Sequence, residues 1–122
     1  MIDSDIIHSM VAEVSVQLPL LKRLCQRHNV FRLWLFGSAT GRGRANFDAV
    51  SDIDFLVEFD RVAHPLRGFS DPFWGLLIDL EDLFGRRIDL VELRPFKDDR
   101  FRESIEATRE LIYEQDRIRT AV

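Results

Sequence analysis

Residues 52–60, DIDFLVEFD, constrain this chain more than any other stretch. Apolar and polar residues alternate through them, and a period of two marks a strand with distinct faces. Ile53, Phe55, Val57 and Phe59 fall on one face; Asp52, Asp54, Leu56, Glu58 and Asp60 fall on the other. The apolar face has to be covered, which predicts a sheet with helices laid against it. At about 3.3 Å per residue, Asp52 and Asp54 stand about 7 Å apart along the other face. Carboxylates that close repel each other unless something positive neutralises them.

The rest of the chain supplies a sheet and its cover. Residues 4–28 read as helical, with Asp3 or Ser4 as cap and Ile6, Ile7, Met10, Val11, Val14 and Leu18 at helical spacing. Pro19 lacks an amide donor and crowds the preceding turn, so a break is expected near Gln17–Leu18. His28 and Asn29 then make a stop. Residues 31–36 are a short aromatic-rich strand, apolar on both faces apart from Arg32, and are expected at the centre of the sheet. Gly37-Ser38 ends that strand, and residues 39–51 read as a loop with room for one helical turn. Residues 61–72 are a polar connection containing Pro65, Gly68 and Pro72. An amphipathic helix over 73–84 follows, with Gly85 in the position of a left-handed cap. A third strand spans 88–93, and residues 99–119 read as a last helix burying Phe101, Ile105, Thr108, Leu111 and Ile112. The expected order is α-α-β-β-α-β-α, a small mixed sheet with helices on one side, of the α+β class.

Composition narrows the function. A chain of 122 residues, 46% hydrophobic, is expected to form a single domain over 1–122. Its charged fraction of 31% argues against a membrane or fibrous protein, and no apolar run approaches a membrane span. A net charge of -4 argues against nucleic acid as a main partner. The single cysteine, Cys25, can form no internal disulfide, and the N-terminus has acids where a secretory signal needs bases. A cytoplasmic protein is expected. Cys25 lies in an apolar helical stretch and reads as a structural thiol.

The chemistry is concentrated at the strand ends. Asp52 and Asp54 offer hard oxygen ligands, which suit magnesium. A third carboxylate, Asp89 on the IDLVEL strand, would complete a bridge for two ions about 3.5–4 Å apart. Glycine at 37 lets the backbone approach a phosphate, and the Ser38 hydroxyl and following amides can donate to it. Gly-Ser or Asp-x-Asp alone would be weak evidence; their order with Asp89 is far more specific.

Through LFGSATGR, SDIDFLVEF and LFGRRIDLVEL, which span Leu35 to Leu93, the sequence resembles the minimal nucleotidyltransferases (MNT) of the DNA polymerase beta superfamily. That group includes the antitoxin halves of HEPN–MNT toxin–antitoxin pairs. The resemblance implies the nucleotidyltransferase fold. It implies magnesium-dependent transfer of a nucleoside monophosphate, AMP from ATP or another NTP, to a hydroxyl acceptor. Gly37 and Ser38 map to the nucleotide phosphate grip; Asp52 and Asp54 map to the metal pair; Asp89 maps to the third catalytic and metal-binding carboxylate. The chain is too short for an acceptor domain of its own, so the acceptor is expected on a partner such as a HEPN toxin, in a homo- or hetero-oligomer. The loop between Ser38 and Asp52 is longer than the family's short form, which leaves Arg42 and Arg44 equally open as triphosphate clamps or as solvated loop charges.

A second function stands beside the enzyme: an antitoxin or binding module that acts by direct contact, its metal site weak or silent. Glu92-Leu93-Arg94 after Asp89 lacks the lysine a metal-dependent nuclease needs. His8, His28 and His64 have no metal-ligand spacing, and Phe69, Phe73 and Trp74 read mainly as core.

Overall fold

The computed structural model describes residues 10–42, 46–63, 71–95 and 98–116. Helix α1 (Ala12–Ser15) and helix α2 (Leu18–Arg27) are separated at Val16–Gln17, where Pro19 enters the first turn of α2. Proline is tolerated there because a first-turn amide has no intrahelical acceptor. The readings at Asp3, Ser4, Ile6, Ile7, His8, Arg44, His64 and Phe69 lie outside the described residues. Asn29 turns the chain through a left-handed conformation (φ 56°) into strand β1 (Val30–Phe36). A 3₁₀ turn (Gly37–Thr40) and a loop lead to strand β2 (Ile53–Phe59). Helix α3 (Pro72–Phe84) starts on Asp71, whose carboxylate accepts from the Phe73 amide, and ends on left-handed Gly85. Strand β3 (Ile88–Glu92) and helix α4 (Asp99–Thr108) follow, the latter capped by Asp98.

The last segment departs from the sequence expectation. Helix α4 stops at Thr108; Arg109 is extended (φ -61°, ψ 139°), and Glu110–Glu114 form strand β4. Residues 117–119 lie outside the described residues. The element order therefore gains a closing strand. The sheet order is β3-β2-β1-β4, with β1 antiparallel to both neighbours and β2 parallel to β3. The central position expected of β1 is met.

The helices also cover both faces, not one. Val14, Leu21, Cys25, Leu76 and Leu80 pack with Leu33, Leu35, Ile53, Phe55 and Val57 on the first face. On the second, Ile105 of α4 packs on Phe36 and Leu56, and Phe101, Trp34 and Val91 complete the layer. Leu56, assigned to the polar side by alternation, is wholly buried under α4. The second face is thus apolar where α4 covers it and acidic beyond the helix. Packing two layers on one short sheet is the usual way to bury strands that are apolar on both faces.

Candidate active site

The acidic end of the second face is assembled by strand register. Asp54 stands opposite Asp89 across the parallel β2–β3 pair and opposite Phe36, the last residue of β1, across the antiparallel one. Gly37 follows at once. It has φ +74°, and a Cβ there would collide with Asp54 Oδ2. Glycine is required twice over, by its backbone conformation and by the carboxylate beside it. The chain then turns: Thr40 Oγ1 donates to the Gly37 carbonyl (2.7 Å), and the Gly41 amide donates to the Ser38 carbonyl (3.1 Å). Gly37, Ser38, Asp54 and Asp89 therefore meet at adjacent strand ends. Asp52 sits just before β2, where Arg87 Nε lies 3.5 Å from its Oδ1.

Electrostatics single out Asp54. Burial, then repulsion from Asp89 and Asp52, pushes its carboxyl up to about 6. Asp89 is exposed and Asp52 is partly open to solvent. Among the described residues no three His, Cys, Asp or Glu side chains converge into a ready-made metal cage. The repulsion from Asp89 and Asp52 that helps raise Asp54 also disfavours closer convergence of the three carboxylates without a cation. Hard carboxylate oxygens from two neighbouring strands, one of them half-buried and destabilised as an anion, are a donor set that fits a divalent cation.

Two further groups frame the site, and sequence reasoning missed both. Arg86 anchors the end of the loop: its guanidinium pairs with both oxygens of Glu13 (2.8 and 2.9 Å) and donates to the carbonyls of Asp48 (2.9 Å) and Ser51 (2.7 Å). It also lies over the Phe47 ring. The available signal was an arginine pair directly after a helix cap and before a carboxylate-bearing strand. On the other side, the corner between α4 and β4 touches the glycine turn, with Thr108 Oγ1 accepting from the Gly37 amide (2.8 Å). The signal for β4 was the Leu-Ile-Tyr run at 111–113, whose residues favour strands. Arg42 is resolved too: its Nε pairs with buried Glu110 of β4 at 2.7 Å, so it is not merely a solvated charge.

The remaining candidates have structural places. His28 caps α2 and bonds Asp79 of α3 (2.6 Å) over Gly75, the one residue type small enough to admit the ring. Cys25 is buried, and burial pushes its thiol up to about 12, which suits a core residue and not a nucleophile. Phe73 joins the core, whereas Trp74, packed edge-on against it, is 52% exposed.

Residues 20–118 match the family model described as polymerase beta, nucleotidyltransferase. The chain belongs to that family. It is 31% identical to a solved structure assigned as a minimal nucleotidyltransferase, covering 84% of this chain and 96% of the other, with a TM-score of 0.58. More distant likenesses are to chains of toxin–antitoxin structures. One, solved with AMP-PNP, is 19% identical over 91% of this chain and 80% of that one, with a TM-score of 0.55. Another is a tri-AMPylated Shewanella oneidensis HEPN toxin in complex with its MNT antitoxin (18% identity, 87% and 76% covered, TM-score 0.53). At those identities the likeness shows a shared fold. Among curated proteins compared by sequence, none matches. The small mixed sheet with helices is the polymerase beta-like nucleotidyltransferase fold. No helix among the described residues is long and apolar enough to cross a membrane.

Proposed function

We propose that this nucleotidyltransferase moves AMP from ATP to a hydroxyl on a partner protein of the HEPN type, and so serves as the antitoxin of a toxin–antitoxin pair. The observation that carries the reading is the register of Asp54 against Asp89 beside Gly37. It gathers a carboxylate pair and an open backbone turn at one point, as nucleotidyl transfer requires. Asp52, Asp54 and Asp89 would hold two magnesium ions, which supply positive charge to the triphosphate and its leaving pyrophosphate.

The chain's own residues do the rest. Gly37 and Ser38 would form the phosphate grip: glycine lets the chain turn beside the Asp54 carboxylate, and the Ser38 hydroxyl would donate to a phosphate oxygen. Burial and the neighbouring carboxylates make the Asp54 anion costly, and a bound cation would relieve that cost. Asp89, exposed on the edge strand β3, would take the proton of the acceptor hydroxyl. The acceptor oxygen bonds to the α-phosphorus as the bond to pyrophosphate breaks. Phe36, Leu56 and Ile105 pack as a buried apolar cluster on the same face of the sheet and would keep water from the inner side of the site. Membership of the family and the AMPylated toxin in one structural neighbour support adenylyl transfer as the activity and a HEPN protein as the acceptor.

The test is direct. The protein is incubated with magnesium, labelled ATP and the product of the adjacent gene, beside an Asp52→Asn/Asp54→Asn variant. Label transferred by the parent alone supports the enzyme. Neutralisation that persists in the variant, with no transfer by either protein, refutes it in favour of an antitoxin acting by contact.

A further inference from the structure

The corner between α4 and β4 touches the glycine turn at two points that neither the carboxylates nor Ser38 account for. At one end of the turn, Thr108 Oγ1 accepts from the Gly37 amide (2.8 Å) and donates back to the Ser104 carbonyl (3.3 Å), which fixes its rotamer. Beyond the other end, Glu110 holds Arg42 Nε at 2.7 Å, and the Arg42 amide donates to Thr40 Oγ1 (3.2 Å). Thr40 in turn bonds Gly37, so these contacts form one chain across the turn.

The corner is itself rigidly seated. Ile105, one helical turn before Arg109, is 2% exposed and packs on Phe36 and Leu56, the neighbours of Gly37 and Asp54 along their strands. The Arg109 amide caps α4 by donating to the Ile105 carbonyl (2.8 Å), and its guanidinium lies over Trp34. Glu110 is paired with Leu35 on β1 and is 7% exposed. A buried carboxylate is stable only with a partner, and the partner here is Arg42.

We propose that Thr108 and Glu110 are positioning residues that hold the Gly37–Thr40 turn in the shape that receives nucleotide phosphates, an inference that rests on the nucleotidyltransferase reading. Neither touches the reacting atoms. The turn has left-handed glycines at both ends, where the backbone needs restraint beyond that supplied within the turn by buried Ala39 and Thr40. Thr108 and Glu110 supply that restraint before nucleotide arrives, so less ordering remains for binding to do.

Three variants, Thr108→Val, Thr108→Ser and Glu110→Gln, are compared with the parent by melting temperature, by amide hydrogen exchange over residues 37–42 without nucleotide, and by calorimetric affinity for magnesium-ATP. Thr108→Val keeps the shape and loses the acceptor. It is expected to exchange the Gly37 amide at least several-fold faster and to bind magnesium-ATP about three- to ten-fold more weakly, the effect of one hydrogen bond. Thr108→Ser restores both, which a general loss of stability would not do. Glu110→Gln, which weakens the hold on Arg42, speeds exchange at Gly41 and Arg42 and weakens binding by a similar factor. Tight binding with unchanged exchange in Thr108→Val and Glu110→Gln overturns the inference while leaving the enzyme reading intact. A parent protein that binds no magnesium-ATP overturns the reading, and this inference with it.

Discussion

Replacing Asp54 by asparagine should make the metal-free protein more stable while ending nucleotidyl transfer. Burial and the charges of Asp89 and Asp52 lift the Asp54 carboxyl from 3.8 to about 6. At about 1.4 kcal/mol per tenfold change in proton affinity, the ionised form costs about 3 kcal/mol in the native state. Asp54 is half-buried, and solvent screening reduces that figure to about 1–2 kcal/mol. Asparagine keeps the shape and removes the charge, so near pH 8 in EDTA it should raise stability by about 1–2 kcal/mol, or the melting temperature by about 4–8 °C. The sign with pH follows from proton binding. The native state holds the Asp54 proton more tightly than the unfolded chain, so this group's stabilisation is complete below about 3.8 and is lost as pH rises through about 6. The variant's advantage should therefore be absent near pH 3.8, grow through that window and level off above it. Urea unfolding of both proteins across pH, with matched slopes, isolates the difference. Equal stability near pH 8, or an advantage that is already full at pH 4, would refute the argument that Asp54 is an electrostatically disfavoured anion. Millimolar magnesium-ATP should narrow the gap by stabilising only the parent.

Other changes follow from the same geometry. Gly37→Ala forces a methyl into a left-handed position and against Asp54 Oδ2; a cost of about 1–3 kcal/mol in urea unfolding and loss of transfer are expected. Arg86→Ala strips the loop end of contacts to Glu13, Asp48 and Ser51 and should cost about 2–3 kcal/mol, measured by the same unfolding assay; Arg86→Lys should recover only part, because an ammonium cannot span both oxygens of Glu13 and two carbonyls. Cys25 should resist alkylation at neutral pH in the native protein and react only as the chain unfolds, a contrast that mass spectrometry reads directly.

The parts legible in the sequence were those fixed by local rules. Alternation over 52–60 placed β2 and its carboxylates, Pro19 placed the break between helices, and Gly85 placed the end of α3. The C-terminal segment failed because its apolar residues fit a helix as well as a strand. Ile105, Thr108 and Ile112 stand at helical spacing, and no glycine or proline interrupts them. The helix ends at Thr108 because the outer edge of β1 offers Glu110–Glu114 a ladder, a tertiary gain that local spacing does not encode. Leu56 was misread for a related reason: a single leucine among acids gives no sign that α4 will cover it. Thr108 and Glu110 were invisible as site residues for as long as the segment was read as one helix.

The loop between the glycine turn and the carboxylates is anchored at both ends, and that anchoring would let its length vary without disturbing the site. Arg42, on the outgoing side, is held by Glu110; Asp48 and Ser51, on the returning side, are held by Arg86. Both anchors are rooted in regular structure, one in β4 and the other at the link between α3 and β3. Gly37 and Asp54 are fixed independently by the β1–β2 register. Residues added between the anchors then bear only on loop closure, whose entropy rises slowly with length, about 0.6 kcal/mol per doubling. The distance from Gly37 to Asp54 is set by sheet geometry and not by the number of residues between them. Spacing between the two motifs is therefore a poor guide to whether the site is intact, and the pairing of Asp54 with Asp89 is a good one.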